Sequence, residues 1–188
     1  MKEEHLYYKI YKPYGYLSQF INNQHKRKNK RLLSELFNLP KAIMAVGRLD
    51  EKSEGLLLLT TDGMFSNYMT SQNIEKEYHV MVDGIITTDK ISALTKGVKI
   101  SVNGNAYVTK PCEAKLLPDT SHIIKRFVRD IKHGPTSWLS ITLTEGKYRQ
   151  VRKMTAAIGY PTLRLVRVRI GNYKLEKLKP KDIEAIHY

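Results

Sequence analysis

The spacing of apolar residues along the chain predicts a series of short β-strands. Apolar and polar residues alternate in several stretches, which is typical of strands buried on one face. The predicted strands cover residues 6–16, 77–82, 98–102, 107–117, 138–143 and 162–170, and Asn103-Gly104 is a strong hairpin signal. The four leucines at 56–59 are too few to be anything but a buried strand or one turn of a core helix.

Three other stretches carry helix signals of about two turns each. They are residues 32–38, which Pro40 closes; residues 62–69, which Asp62 can cap; and residues 87–94, which Gly97 follows. Capping side chains before a helix and glycine after it satisfy the backbone groups that have no partner within the helix. We therefore predict three short helices at these places.

A further helix is predicted between Glu145 and Gly159, where the apolar spacing changes from strand-like to helical. One side of this helix carries Val151, Met154 and Ile158. Arg149 and Lys153 lie on the opposite side, and Arg152 lies on the flank. The pattern indicates a helix that packs on one face and presents cations on the other.

Strands separated by isolated helices, without a repeating strand-helix unit, indicate an α+β fold with a mostly antiparallel mixed sheet. The chain has no internal repeat, low-complexity segment or flexible linker, so we expect one domain over residues 1–188. Residues 118–136 mix cationic and apolar residues and fit either an irregular strand or a basic loop. Tyrosines in the first predicted strand fit core packing better than they fit stacking on nucleic-acid bases.

The charge balance favours a polyanionic partner. The chain has 32 Lys and Arg residues against 18 Asp and Glu residues, a net charge of +14. Neutralising phosphates releases condensed counterions, so nucleic acid is the expected partner, with solubilising surface charge as the alternative. The run at 26–31 is predicted to be a solvated loop that meets phosphates or contacts nothing specific.

Several other classes are disfavoured by the composition. No apolar run approaches the ~20 residues of a membrane helix, and the polar start is unlike a signal peptide, so we expect a cytoplasmic protein with no membrane association. Cys112 is the only cysteine, and the histidines show no metal-ligand spacing. We expect no metal or other cofactor, and nothing in the sequence requires more than a monomer.

The central candidate for chemistry is the carboxylate of Asp50. It lies two residues after Arg48, between the apolar residues 42–46 and the leucine run. A carboxylate so placed lies near the edge of a core. From this stretch alone, it is either a structural ion-pair partner or a working nucleophile or base.

Three segments taken together extend this interpretation. Residues 47–60, Lys76-Glu77-Tyr78 and residues 145–154 resemble, in order and spacing, the motifs of bacterial rRNA pseudouridine synthases of the RsuA family. The similarity extends from Lys12-Pro13 to Gly171, and it is strongest to the short large-subunit (RluE-like) members. The resemblance implies the pseudouridine synthase catalytic fold without the N-terminal S4 RNA-binding domain that many relatives carry.

The resemblance also implies a reaction and its residues. A uridine in RNA would be isomerised to pseudouridine, with Asp50 as the nucleophile that attacks either the base or the ribose. Arg152 matches the basic partner of the aspartate, and Arg149, one turn earlier, is its rival. Tyr78 matches the active-site tyrosine, which would pack near the uracil and exchange the proton on carbon 5.

Three further positions match substrate-binding residues of the family. Arg48 corresponds to a residue that fills the space left by an extruded base. Leu165 corresponds to an apolar residue of the pocket wall, although ordinary core packing is an equally natural role. Lys153 stands where an arginine is common, a change that keeps the charge but weakens any bidentate contact. The tail at 178–182 also departs from the usual Pro-Gly-Glu ending.

The expected function is therefore the isomerisation of one uridine in ribosomal RNA, in a stem-loop of the large-subunit (23S) RNA. The alternative is a ribosome-assembly factor that binds rRNA without chemistry, which would explain the charge but not Asp50. A DNA-binding regulator is disfavoured, because no helix-turn-helix spacing is evident and a duplex-binding protein has no use for an aspartate in a pocket.

Overall fold

The computed structural model describes residues 4–21 and 30–188. Its strands are β1 (Tyr7–Lys12), β2 (Tyr16–Leu17), β3 (Arg31–Leu32), β4 (Met44–Val46), β5 (Glu54–Thr60), β6 (Lys76–Asp83), β7 (Lys99–Val102), β8 (Asn105–Val108), β9 (Glu113–Leu116), β10 (Thr136–Leu143), β11 (Thr162–Ile170), β12 (Tyr173–Lys174) and β13 (Ile183–Ala185). Its α-helices are α1 (Gly63–Thr70), α2 (Thr88–Lys96) and α3 (Gln150–Ala157), with 3-10 turns at Leu33–Glu35 and Ile131–His133. Residues 26–29 of the predicted basic run lie outside the described residues.

The predicted α+β class with a mostly antiparallel mixed sheet is confirmed. Antiparallel pairs form between β1 and β5, β1 and β13, β4 and β5, β6 and β10, β9 and β10, β7 and β8, and β11 and β12. Strands β2 and β3 pair in parallel. The chain forms two compact units, a first unit of Met1–Ile74 with Arg167–Tyr188 and a second unit of Glu75–Val166. The single catalytic domain stays a prediction.

The first unit is built around β5, in which every residue is buried. Strand β1 pairs with β5 from Tyr7 opposite Thr60 to Lys12 opposite Gly55. Strand β4 also pairs with β5. A strand covered on all sides needs apolar residues throughout, which explains the unbroken leucine run. The alternative of a buried strand at 56–59 is therefore confirmed.

The other elements of the first unit follow local signals to different degrees. Helix α1 begins where predicted, and the Asp62 carboxylate accepts the Met64 and Phe65 N–H groups at 2.7 and 3.1 Å. The helix predicted at 32–38 is wrong in type, because only the 3-10 turn Leu33–Glu35 forms. The Glu35 carboxylate accepts the Leu32 N–H at 2.7 Å and closes that single turn. Tyr11 of the first strand is buried, which supports core packing over base stacking for this tyrosine.

The second unit pairs β6 with β10 along their whole length. Both strands contribute apolar side chains to one core, against which α2 and α3 also pack. The residues of α3 and of the segment after it that enter this core are Val151, Met154 and Ile158, so the predicted apolar side is confirmed.

Two stretches of the second unit differ from the expected pattern. The strand predicted at 107–117 is interrupted between β8 and β9, where the Lys110 N–H donates to the Glu145 carboxylate at 2.8 Å and Pro111 has no N–H to offer. Residues 118–136 form a loop with the 3-10 turn Ile131–His133, so the strand alternative is wrong and the loop alternative is confirmed. No helix in the described residues is long and apolar enough to span a bilayer.

Two glycines of the second unit have a positive φ, which disfavours a side chain at either position. Gly97 ends α2 with a φ of +95°, and a Cβ placed on it would lie 2.3 Å from the Thr109 carbonyl oxygen. Gly104 has a φ of +84° in the confirmed Asn-Gly hairpin turn, and a Cβ there would meet nothing within 4 Å. Both positions disfavour a side chain, but only Gly97 adds a clash with backbone.

We predict that Gly97→Ala lowers the free energy of unfolding by about 3 kcal/mol or more, because strain and overpacking add. The control Gly104→Ala is expected to lose about 1–2 kcal/mol, from the backbone conformation alone. Urea denaturation of both variants checks the difference. Equal losses would contradict the close approach of Thr109 to α2.

Candidate active site

Asp50 lies in the segment 47–53, which connects the antiparallel pair β4 and β5. The Ser18 hydroxyl fixes the residue before it, accepting the Leu49 N–H and donating to the Leu49 carbonyl, both at 2.9 Å. On the other side, the Ser53 N–H donates to the Asp50 carbonyl at 3.0 Å. The backbone is therefore held on both sides of a half-buried aspartate.

Lys12, at the end of β1, is a buried residue that hydrogen-bonds to the same segment. Its side chain is fully buried, and its amino group donates to the Ser53 carbonyl at 2.7 Å and to the Pro13 carbonyl at 3.0 Å. The carboxylates of Glu54, Asp50 and Glu51 lie close enough to act on Lys12 electrostatically. Lys12 thus joins β1 to the segment that carries Asp50.

Burial lowers the pKa of Lys12 to about 7, and Arg167 acts in the same direction, while the three carboxylates oppose the shift. A neutral amine still has two N–H groups, which are enough for the two carbonyl oxygens. Lys12 was named above only as part of the family resemblance. The sequence signal for its structural role was a lysine directly before a proline, at the end of a strand that faces the leucine run.

Arg48 and Glu51 complete the first unit's part of the candidate site. The Arg48 side chain is exposed, as its expected role in entering RNA requires. Glu51 is held by an ion pair with Lys30 at 2.6 Å. Glu51 is therefore joined to the beginning of the segment that leads into β3.

Tyr78 and Leu165 lie together in the second unit. Tyr78 is half-buried on β6 and packs against the apolar core that contains Leu165, which is 6% exposed on β11. Both side chains are held by the packing of two strands. The positions agree with a pocket wall made from the edge of a core, and the role of Leu165 stays a prediction.

The three cations predicted on α3 differ in their surroundings. Arg149 is the N-cap residue with a left-handed φ of +52°. Arg152 is half-buried and donates to the Thr162 carbonyl at 3.3 Å. The Lys153 ammonium donates to the Ser101 carbonyl at 2.7 Å and lies 5.2 Å from the centre of the Tyr148 ring. All three side chains are half-buried, and the contact of Lys153 with the Ser101 carbonyl is shorter than that of Arg152 with the Thr162 carbonyl.

A buried carboxylate organises the start of α3. Glu145 accepts the Tyr107 hydroxyl and the Gln150 amide at 2.6 Å each, together with the Lys110 N–H. Burial alone would raise the pKa of Glu145, but these hydrogen bonds outweigh it and the pKa is lowered. The roles of Glu145 and Gln150 were not predictable from local pattern, because only the fold brings Tyr107 and Lys110 to them.

The structure places Asp50 and Arg48 in the first unit and the remaining predicted site residues in the second, namely Tyr78, Arg149, Arg152, Lys153 and Leu165. Within residues 4–21 and 30–188, no three His, Cys, Asp or Glu side chains are arranged to hold a metal ion.

The titration of Lys12 gives a prediction for stability. Between pH 7 and about 10.5 the unfolded chain binds one more proton at this lysine than the folded protein does, so stability rises with pH across that window. Relative to Lys12→Met, the wild type should gain up to about 1.4 kcal/mol per pH unit above pH 7 and show a constant difference below it. Urea denaturation from pH 6 to 9 measures this, and a constant difference throughout would contradict the lowered pKa.

Comparison with known proteins adds independent evidence. A model of the RNA pseudouridylate synthase family matches residues 6–157. Ribosomal large subunit pseudouridine synthase E from Xanthomonas axonopodis pv. citri is 43% identical over 178 residues, covering 93% of this chain and 90% of that protein. Ribosomal large subunit pseudouridine synthase B from Bacillus subtilis is 33% identical over 188 residues, covering 98% and 69%.

Comparison of the fold with solved structures indicates the same family. A crystal structure described as a pseudouridylate synthase superimposes with a TM-score of 0.78 at 27% identity, covering 98% of this chain and 71% of that one. The resemblance drawn from the three sequence motifs is thereby confirmed. This protein belongs to the RNA pseudouridylate synthase family of isomerases.

Proposed function

We propose that the protein isomerises a specific uridine in large-subunit ribosomal RNA to pseudouridine, with Asp50 as the nucleophile. The RNA class is supported by relatives named for the large ribosomal subunit. The observation that carries the role of Asp50 is its half-buried carboxylate on a segment fixed at both ends, beside the buried Lys12. A stem-loop substrate, a monomeric state and a cytoplasmic location belong to the same proposal.

The surroundings of Asp50 suit a nucleophile. A carboxylate is a weak nucleophile that must be ionised and aimed. The bonds from Ser18 and Ser53 to the neighbouring backbone aim it, and Lys12 lies close enough to interact with it electrostatically.

The reaction rearranges one nucleoside without any net exchange of atoms. The bond between N1 of the uracil and C1′ of the ribose breaks, the base turns, and a bond forms between C5 and C1′. In the net reaction C5 loses its proton and N1 gains one, so neither an oxidant nor a cofactor is consumed. Tyr78 takes part in the exchange of the C5 proton, and Arg152 is the guanidinium that orients Asp50.

Access to the base requires that the uridine leave its stack, which costs a few kcal/mol and least in loops and bulges. Exposed Arg48 fills the vacated space and offsets part of that cost. Arg149 and Lys153 contact the RNA from α3. The left-handed backbone of Arg149 supports this assignment, because strained non-glycine residues cluster at functional sites.

Replacing the nucleophile should abolish turnover without abolishing RNA binding. We expect Asp50→Asn to lower tritium release from large-subunit RNA labelled at uracil C5 by at least about 10³-fold, because the amide cannot attack. The matched control is Glu51→Gln, which removes the neighbouring carboxylate and should retain activity within a few-fold. Small-subunit RNA labelled in the same way should release no tritium.

Three results would contradict the proposal. A wild-type rate in Asp50→Asn would remove Asp50 from the chemistry. A wild-type protein that binds the RNA but releases no tritium would favour an assembly factor without chemistry. Equal release from small-subunit RNA would refute the proposed substrate class.

A further inference from the structure

A concave surface lies in the second unit beside the loop 118–136. It is a cavity of about 510 Å³ bordered by the loop 118–136 and by the strands β6, β10 and β11. The residues of this cavity that bear on its chemistry are Met81, Lys125, Arg126, Phe127, Trp138 and Arg164. We call it the Trp138 pocket.

The Trp138 pocket opens on the opposite face of the second unit's strands from Tyr78. Side chains alternate along a strand, so Met81 points away from the core that Tyr78 and Val80 face. The same alternation separates Trp138 from Leu139 on β10. The pocket is therefore a surface distinct from the one that Tyr78 and Leu165 border.

The pocket combines aromatic rings with positive charge. Phe127 is 79% exposed and lines the cavity, so its ring is accessible to a ligand. Half-buried Trp138 forms the floor, with the guanidinium of buried Arg164 lying 5.8 Å from the centre of its ring. Lys125 and Arg126 lie next to Phe127 in the chain and also line the cavity.

We propose that the Trp138 pocket binds one unpaired nucleotide of the RNA, with the base beside Phe127 and Trp138 and the phosphate beside Lys125 and Arg126. Stacking on aromatic side chains together with a cationic path for the backbone is how proteins bind single-stranded RNA. The volume lies within the ~300–1,000 Å³ typical of small-ligand sites.

The charge of the pocket favours an anionic ligand such as a nucleotide over a purely apolar ligand. Three cations line the pocket, and no carboxylate is among the lining residues that the structure describes. The loop also carries Arg129, whose guanidinium donates to the Asp83 carboxylate at 2.6 Å and so fixes the loop to β6. The nucleotide site thus rests on a loop that is anchored to the strands beneath it.

This inference rests on the proposed function only in that RNA is the partner. It adds a second point of contact to the catalytic one. Such a contact would hold RNA flanking the target uridine and would increase the affinity for the whole substrate.

Trp138 makes the pocket directly observable, because it is the only tryptophan in the chain. We expect a single-stranded ten-nucleotide oligouridylate to quench Trp138 fluorescence saturably in the full-length protein. Asp50→Asn should show the same quenching, since Asp50 does not line the pocket. Fluorescence anisotropy of labelled oligouridylate gives the dissociation constant independently.

Phe127→Ala should weaken binding at least about fivefold and reduce the quenching, whereas Phe127→Tyr should retain both. The matched control is Ile131→Ala, which truncates another apolar residue of the same loop that is 89% exposed and does not line the cavity. Removing Lys125 or Arg126 should lower the slope of log K against log salt by about 0.7 each, and Lys132→Ala should leave it unchanged.

Unchanged Trp138 emission on saturation with oligouridylate would overturn the proposal, as would unchanged affinity in Phe127→Ala. Equal quenching by an oligoglutamate peptide would also overturn it, because the pocket would then be a general anion site. Activity separates the two claims. An active enzyme with unresponsive Trp138 refutes only the pocket, and an inactive protein with quenched Trp138 refutes only the isomerase.

Discussion

The hydrogen bond from the buried Lys12 amino group to the Ser53 carbonyl is the constraint on which the candidate site depends most. It joins two residues 41 positions apart and attaches the segment 47–53 to the end of β1. A buried amine is costly unless its N–H groups are satisfied, so the geometry around it is specified narrowly. Because the Ser53 N–H donates to the Asp50 carbonyl, the same constraint acts on the backbone that carries the carboxylate.

The second unit positions its predicted site residues in a different way. Its helix α3 packs an apolar side on the strands and keeps cations on the other sides, and Glu145 links the first residue of α3, Gln150, to Tyr107 and to the Lys110 backbone. Arg152 is thereby carried on a rigid element and not on a loop. Rigid support of this kind is what a guanidinium needs if it is to orient another group.

The two faces of the strands β6 and β10 serve different purposes in this account. Tyr78 belongs to the face that α2 and α3 cover, and Trp138 belongs to the face under the loop 118–136. Alternation along these two paired strands therefore supplies both a candidate residue for chemistry, on β6, and a candidate residue for RNA binding, on β10.

Local pattern predicted much of the fold. The bounds of β11 match the predicted strand at 162–170, and the Asn103-Gly104 turn and the Asp62 cap formed as expected, because each depends on neighbouring residues. The break between β8 and β9 was predictable only in part, because Pro111 is a local signal against a continuous strand but the acceptor of the Lys110 N–H is Glu145, 35 residues away. Lys12 was missed because its burial also depends on distant residues. Lysine is rarely buried, and only the pairing of β1 with β5 encloses it.

The most direct test is the single-turnover rate of Lys12→Met on the large-subunit RNA, measured beside its RNA dissociation constant. Methionine retains the bulk of the side chain and removes both donors. If Lys12 positions the Asp50 segment, the rate should fall at least about 100-fold, because a shift of ~1 Å costs that much, while RNA binding changes little. A folded Lys12→Met protein with the wild-type rate would contradict the account.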